Sequence, residues 1–102
     1  MISRLLDKNK NEHEWIRNMI EIQYIGHLGK ELDLEREELQ WQSSLKDVTA
    51  LIEQLCGERG EQWSEALHEE KLLVSVNQTM VKKDYPLSDG DEVMFFPPIA
   101  GG

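Results

Sequence analysis

From Met19 the chain alternates apolar and polar residues with a period of two. Ile20, Ile22 and Tyr24 fall on one side of an extended segment, and Glu21 and Gln23 on the other. This predicts a strand with one face in a core. Ile25 breaks the pattern by placing a branched apolar residue on the polar side. Gly26-His27-Leu28-Gly29-Lys30 reads as a turn, and residues 34–41 as a weak, acidic edge strand. The period then lengthens. Leu45, Val48, Leu51, Ile52 and Leu55 make one helical stripe. Ser44 is its predicted N-cap, with Asp47 three residues on, and Gly57 and Gly60 supply its stop. Trp63, Ala66 and Leu67 predict another helical turn. Residues 72–76 are apolar in near succession, as in a central strand. Asn77-Gln78-Thr79 predicts a turn, and Met80-Val81 a short extended piece. Residues 86–91 predict a second turn with Gly90 at positive φ, and residues 92–96 form the last strand. Two strands before the main helix and the rest after it predict an α+β roll: a mixed sheet with one helix across a face.

The first 18 residues have no such pattern. They carry a net charge of +1, from four basic and three acidic residues, so the other 84 carry −10. We read residues 1–18 as an N-terminal extension, with Asn11 and Glu14 placed to cap a short helix and Trp15 available to pack on the domain. Residues 19–102 are read as one domain, whose tail begins at about residue 97.

That tail carries the chemistry. Val93-Met94-Phe95-Phe96 leads into Pro97-Pro98-Ile99-Ala100-Gly101-Gly102. Glycine has no Cβ, so Gly101-Gly102 is the thinnest and most flexible backbone available and can enter a channel closed to other residues. Pro97 and Pro98 fix φ and favour an extended approach. The Gly102 carboxylate is the candidate working group. Ionised near neutral pH, it is a poor electrophile until another enzyme activates it, typically as an acyl-adenylate. The activated carbonyl then accepts sulfur, giving a thiocarboxylate, or an amine, giving an isopeptide bond.

Composition narrows the alternatives. Twenty acidic residues against 11 basic give a net charge of −9, which repels nucleic acid and anionic membranes. It could steer the chain towards a basic protein groove. No apolar run is long enough to span a membrane. The lone Cys56 cannot form an internal disulfide, so the expected location is cytoplasmic. His13, His27 and His68 lack metal-ligand spacing, and no phosphate loop or dinucleotide fingerprint is present. No metal or cofactor is expected on the chain itself. Any ATP would be used by an activating partner.

Two motifs carry a family resemblance. Val76-Asn77-Gln78-Thr79, and Asp89-Gly90-Asp91-Glu92-Val93 followed by Phe95-Phe96-Pro97-Pro98 and Gly101-Gly102, closely resemble the MoaD family of ubiquitin-like sulfur carriers, the small subunits of molybdopterin synthase. The resemblance is strong over roughly residues 63–102, looser over 19–62, and absent from 1–18. It implies a β-grasp, ubiquitin-like fold. It implies that an E1-like adenylating enzyme of MoeB type activates Gly102 with ATP, and that a thiocarboxylate (1-thioglycine) follows. Sulfur then passes to cyclic pyranopterin monophosphate inside a large subunit, in a heterotetramer of two small and two large chains. It further implies partner contacts at Ile25, Met80 and Phe96, with Phe95, Pro97 and Pro98 beside them and Gly101 giving the tail its access. Many members carry an Arg shortly after the first strand, where this chain offers only Lys30. Three other readings remain: a carrier for thiazole or thionucleoside synthesis, a ubiquitin-like protein modifier, and a plain β-grasp interaction module.

Overall fold

The computed structural model describes residues 18–98. The expectations for the N-terminal extension, and for Gly101 and Gly102, lie outside these residues. Strand β1 (Met19–Tyr24) is followed by helix α1 (His27–Leu32) and strand β2 (Arg36–Gln40). Helices α2 (Val48–Arg59) and α3 (Glu61–Leu67) come next, then β3 (Leu73–Val76), β4 (Thr79–Val81) and β5 (Glu92–Phe96). The strands form one mixed sheet in the order β2-β1-β5-β3-β4, with β5 parallel to β1 and antiparallel to β3. One sheet face is the predicted apolar side. Ile20, Ile22 and Tyr24 of β1, Val74 and Val76 of β3, and Val93 and Phe95 of β5 are buried there in one cluster with Val48, Leu51, Ile52 and Leu55 of α2.

Three sequence expectations are corrected. Residues 26–30 are not a simple turn. Gly26, at φ 63°, swings the chain into α1, which buries Leu28 and Leu32 one helical turn apart. Gly29 is needed there for packing, because a Cβ on it would stand 2.8 Å from the Tyr24 carbonyl oxygen. The main helix begins later than predicted. Its N-cap is Asp47, whose side chain accepts from the Ala50 amide at 2.8 Å, while Ser44 is exposed. A contact distant in sequence decides this. The Leu87 amide donates to the Lys46 carbonyl at 2.9 Å, and the Val48 amide to the Tyr85 carbonyl at 3.1 Å, which holds residues 46–47 extended. Gly57 lies within α2, and the break falls at Gly60, whose φ of 97° ends α2 and starts α3.

The start of β5 is clamped by the two motifs singled out above. Asn77 and Gln78 both take positive φ, 51° and 72°, and so close the β3–β4 hairpin in two residues. The Asn77 side chain donates to Asp91 Oδ1 at 2.9 Å and accepts from the Glu92 amide at 3.0 Å, and its own amide donates to the Glu92 carbonyl at 2.8 Å. Asp91 also accepts from the Ser88 amide at 2.8 Å. These bonds set the register of β5, and with it which side chains of the last strand face out.

Candidate functional site

A two-residue period along a clamped β5 sends alternate side chains to opposite faces. Val93 and Phe95 go inward, and Glu92, Met94 and Phe96 go to the face opposite α2. Cross-strand register then builds that outer face. Phe96 stands opposite Leu73, Met94 opposite both Gln23 and Ser75, and Ser75 opposite Met80. The Ile25 amide donates to the Phe95 carbonyl at 2.9 Å, which brings Ile25 level with Phe96 beyond the end of β1. The result is an apolar area made by Ile25, Phe96, Leu73, Met94 and Met80. Towards β2 it gives way to polar groups. Gln23 donates to Glu92 Oε2 at 2.9 Å, and Arg36 pairs with Glu21.

Three residues expected from sequence to contact a partner are therefore assembled on one face. Ile25 and Phe96 are half-buried and Met80 is exposed. Pro97 and Pro98 continue the strand, also half-buried, and Pro97 packs beside the turn at Gly26, where a Cβ would lie 3.8 Å from Pro97 Cγ. Phe95 requires a correction. It is 0% exposed and stacks on Tyr24 at 5.9 Å, so it supports the site from beneath and offers no surface to a partner. Met94 and Leu73 escaped the sequence reading. The signal for both was period two: Met94 alternates with Phe96, and Leu73 alternates with the buried Val74 in a run that looked uniformly internal. Lys30, on α1, is exposed beside a hollow formed with Ile25, His27 and Arg36.

The inner face holds the sheet rigid beneath this site. Arg59 binds Glu37 through two nitrogens at 2.7 and 2.8 Å, and Tyr24 donates to the same carboxylate at 2.7 Å. The Arg59 guanidinium also lies 4.6 Å above the Trp63 ring, which meets Tyr24 edge-on at 5.2 Å. Burial raises the Glu37 carboxyl, but donation from Arg59 and Tyr24 outweighs it and leaves the pKa below the ordinary value. Burial and the adjacent Glu37 push the Tyr24 phenol up. Cys56 is buried, and burial and the charge of Glu53 raise its thiol, which disfavours the reactive thiolate. On the outer face, Ser75 is 2% exposed and its hydroxyl has no hydrogen-bond partner.

Among the described residues no group of His, Cys, Asp and Glu could hold a metal ion, and no helix is long and apolar enough to cross a membrane. The face offers no catalytic constellation. What it can do is bind a partner and aim whatever follows Pro98.

The chain has relatives among known proteins. The chain is 51% identical over 55 residues to the molybdopterin synthase sulfur carrier subunit of Escherichia coli, covering 54% of this chain and 67% of that protein. It is 38% identical over 64 residues to the subunit of the same name from Haemophilus influenzae, covering 63% and 78%. Among solved structures, Urm1 from Trypanosoma brucei superposes with a TM-score of 0.67 at 21% identity, over 83% of this chain and 96% of that one. A chain of the protein–protein complex of subunits 1 and 2 of the molybdopterin-converting factor from Helicobacter pylori matches with a TM-score of 0.55 at 24% identity, over 82% of this chain and 99% of that one. These likenesses establish the ubiquitin-like β-grasp fold. The ThiS family profile spans residues 22–102, from the core of β1 to the paired glycines, and the chain belongs to the ThiS family.

Proposed function

We propose that this chain is the sulfur-carrier subunit of a molybdopterin synthase, acting through the carboxylate of Gly102. An E1-like adenylating enzyme joins that carboxylate to AMP from ATP, releasing pyrophosphate. A sulfur nucleophile displaces AMP and leaves a thiocarboxylate. In the synthase large subunit the thiocarboxylate sulfur bonds to cyclic pyranopterin monophosphate, and water then cleaves the acyl–sulfur bond, leaving the sulfur on the pterin and returning the tail as a carboxylate. A dithiolene holds two sulfurs, so two loaded carriers serve each product. The chain is not an enzyme on its own, binds no cofactor, and works in the cytoplasm. Its complex is a heterotetramer of two small and two large subunits.

The observation that carries this reading is the outer face itself: Ile25, Phe96 and Met80 gathered beside the strand that runs into Pro97-Pro98. The likeness to the Escherichia coli carrier subunit supports the pathway. The Helicobacter pylori complex supports a large-subunit partner. The geometry also explains the division of labour. The fold contributes a rigid platform, and the six residues from Pro97 reach at most roughly 20 Å beyond it when extended. An apolar anchor in a polar surround fits docking followed by insertion of the tail.

Intact mass spectrometry tests it. The chain is incubated with an E1-like adenylating enzyme, ATP and a sulfur source. We expect a gain equal to one oxygen replaced by sulfur, on the C-terminal peptide, and none when Gly102 is deleted or a residue is added after it. Full sulfur transfer by the extended variant would sink the proposal. Lysine conjugates that survive reducing agent would replace it with a protein modifier.

A further inference from the structure

We infer that Gly26 is a positioning residue for sulfur transfer: its backbone forms the seat of the Pro97 ring and thereby sets the direction in which the tail leaves the sheet. The inference rests on the function proposed above and adds to it a residue that acts through Pro97.

Main-chain pairing stops at the end of β5. The Glu21 amide of β1 donates to the Asp91 carbonyl at 3.0 Å and, four residues on, the Ile25 amide donates to the Phe95 carbonyl at 2.9 Å. The next rung of this parallel ladder would run from the amide of residue 97 to the Ile25 carbonyl. Residue 97 is proline and has no N–H to give. The Ile25 carbonyl instead accepts from the Leu28 amide at 3.2 Å, at the start of α1. On the β3 side the Leu72 amide, next to the Leu73–Phe96 pair, is turned to the Glu69 carbonyl at 3.1 Å. Past Phe96 the tail is therefore guided by side-chain packing and not by the sheet.

Gly26 supplies that packing. Pro97 Cγ is the one atom outside the adjoining residues that a Cβ at position 26 would meet within 4 Å, at 3.8 Å. A methyl group just fits, so space does not explain the glycine. Its backbone does. Gly26 sits at φ 63° and ψ −140°. Asp33 also has positive φ, but at ψ 39° it lies in the left-handed helical well that L-residues can enter. The ψ of Gly26 is far from that well, in a region open to glycine and closed to a side chain. An L-residue at position 26 must turn the backbone, yet both sides of the turn are tied. Ile25 is held to Phe95, and the Gly26 carbonyl accepts from the Gly29 amide at 3.1 Å. The seat of Pro97 moves with the turn. Pro97-Pro98 is stiff, so a change of direction of about 20° at the root moves the end of an extended tail by roughly 7 Å. Far smaller displacements slow a reaction that depends on placed atoms.

The test is single-turnover sulfur transfer from the full thiocarboxylated chain to cyclic pyranopterin monophosphate at saturating large subunit, beside calorimetric affinity and an unfolding midpoint. Gly26→Ala should slow transfer at saturation about tenfold, with affinity within about threefold of that of the unaltered chain. D-Alanine at position 26, introduced by ligating two synthetic halves at Cys56, accepts positive φ and should restore the rate. Pro97→Ala keeps Gly26 but removes the ring and returns an N–H to the Ile25 rung. It should slow transfer as Gly26→Ala does without lowering the midpoint, and it carries the test if Gly26→Ala does not fold. An unaltered rate in either L-alanine variant, a loss confined to affinity, or a D-alanine chain as slow as Gly26→Ala would each overturn the inference and leave the proposed function standing. An unaltered chain that passes no sulfur would remove both.

Discussion

Phe95 and Phe96 are adjacent and chemically identical, yet they belong to different halves of the molecule. Phe95 lies in the face under α2, fully buried against Tyr24. Phe96 lies on the opposite face, half-buried, with Ile25 and Leu73 beside it. The inner face is finished: its apolar side chains are covered by helices, and its one carboxylate in the Tyr24–Trp63 cluster is met by Arg59 and Tyr24. The outer face is unfinished. It leaves Leu73 and Met80 exposed and buries a Ser75 hydroxyl without a partner. A closed face beneath an open one fits the docking role proposed for the outer face.

The sharpest way to break this contrast is to truncate each phenylalanine in turn. Phe95→Ala should cost about 3–5 kcal/mol, a large part of the stability of a small domain. Phe96→Ala should change stability by less than about 1 kcal/mol while weakening the complex with the large subunit. Chemical denaturation and calorimetric titration of both variants measure this. Equal stability losses would erase the distinction between the faces.

A smaller effect tests the inner network. Arg59→Met should cost about 2 kcal/mol, less than for a fully buried pair because the Arg59 and Glu37 side chains are 25% and 14% exposed. Glu37 has a lowered folded pKa, so its contribution is complete above the ordinary carboxyl value of 4.5 and fades as pH falls through the lower folded value. Urea titrations from neutral pH down to about pH 3 should therefore show a shallower acid decline in Glu37→Gln than in the unaltered chain. An unchanged slope would remove the network from the account.

The smallest effect has the opposite sign. Ser75→Ala removes a buried hydroxyl that bonds to nothing and should raise stability by about 1 kcal/mol. A loss on thermal unfolding would mean that the hydroxyl is satisfied in the working protein.

Much of this was legible in the chain. Strands β1 and β5 begin where alternation placed them, because a half-buried strand writes its two faces into a period of two. The helical stripe from Val48 to Leu55 was equally plain. The reading of Gly101-Gly102 as a working tail rests on sequence, because these residues lie outside the described ones. The misreadings share one cause. At Gly26–Lys30 two glycines outweighed the pair Leu28 and Leu32, whose burial needs the end of β1 to pack on. At Ser44 a good capping residue lost to Asp47, because the strand-like contact with Pro86 and Leu87 holds the intervening backbone extended.

Local pattern thus determined which residues are extended, which are helical, and that the last strand leads into a thin tail. Those outcomes depend on neighbours a few residues apart. Tertiary structure alone decided that Phe95 is core while Phe96 is surface, and that Ile25, Phe96, Leu73 and Met80 share one face. Such assignments rest on register between strands far apart in sequence, set here by Asn77 reaching Asp91 and Glu92. A shift of one residue would exchange the two faces.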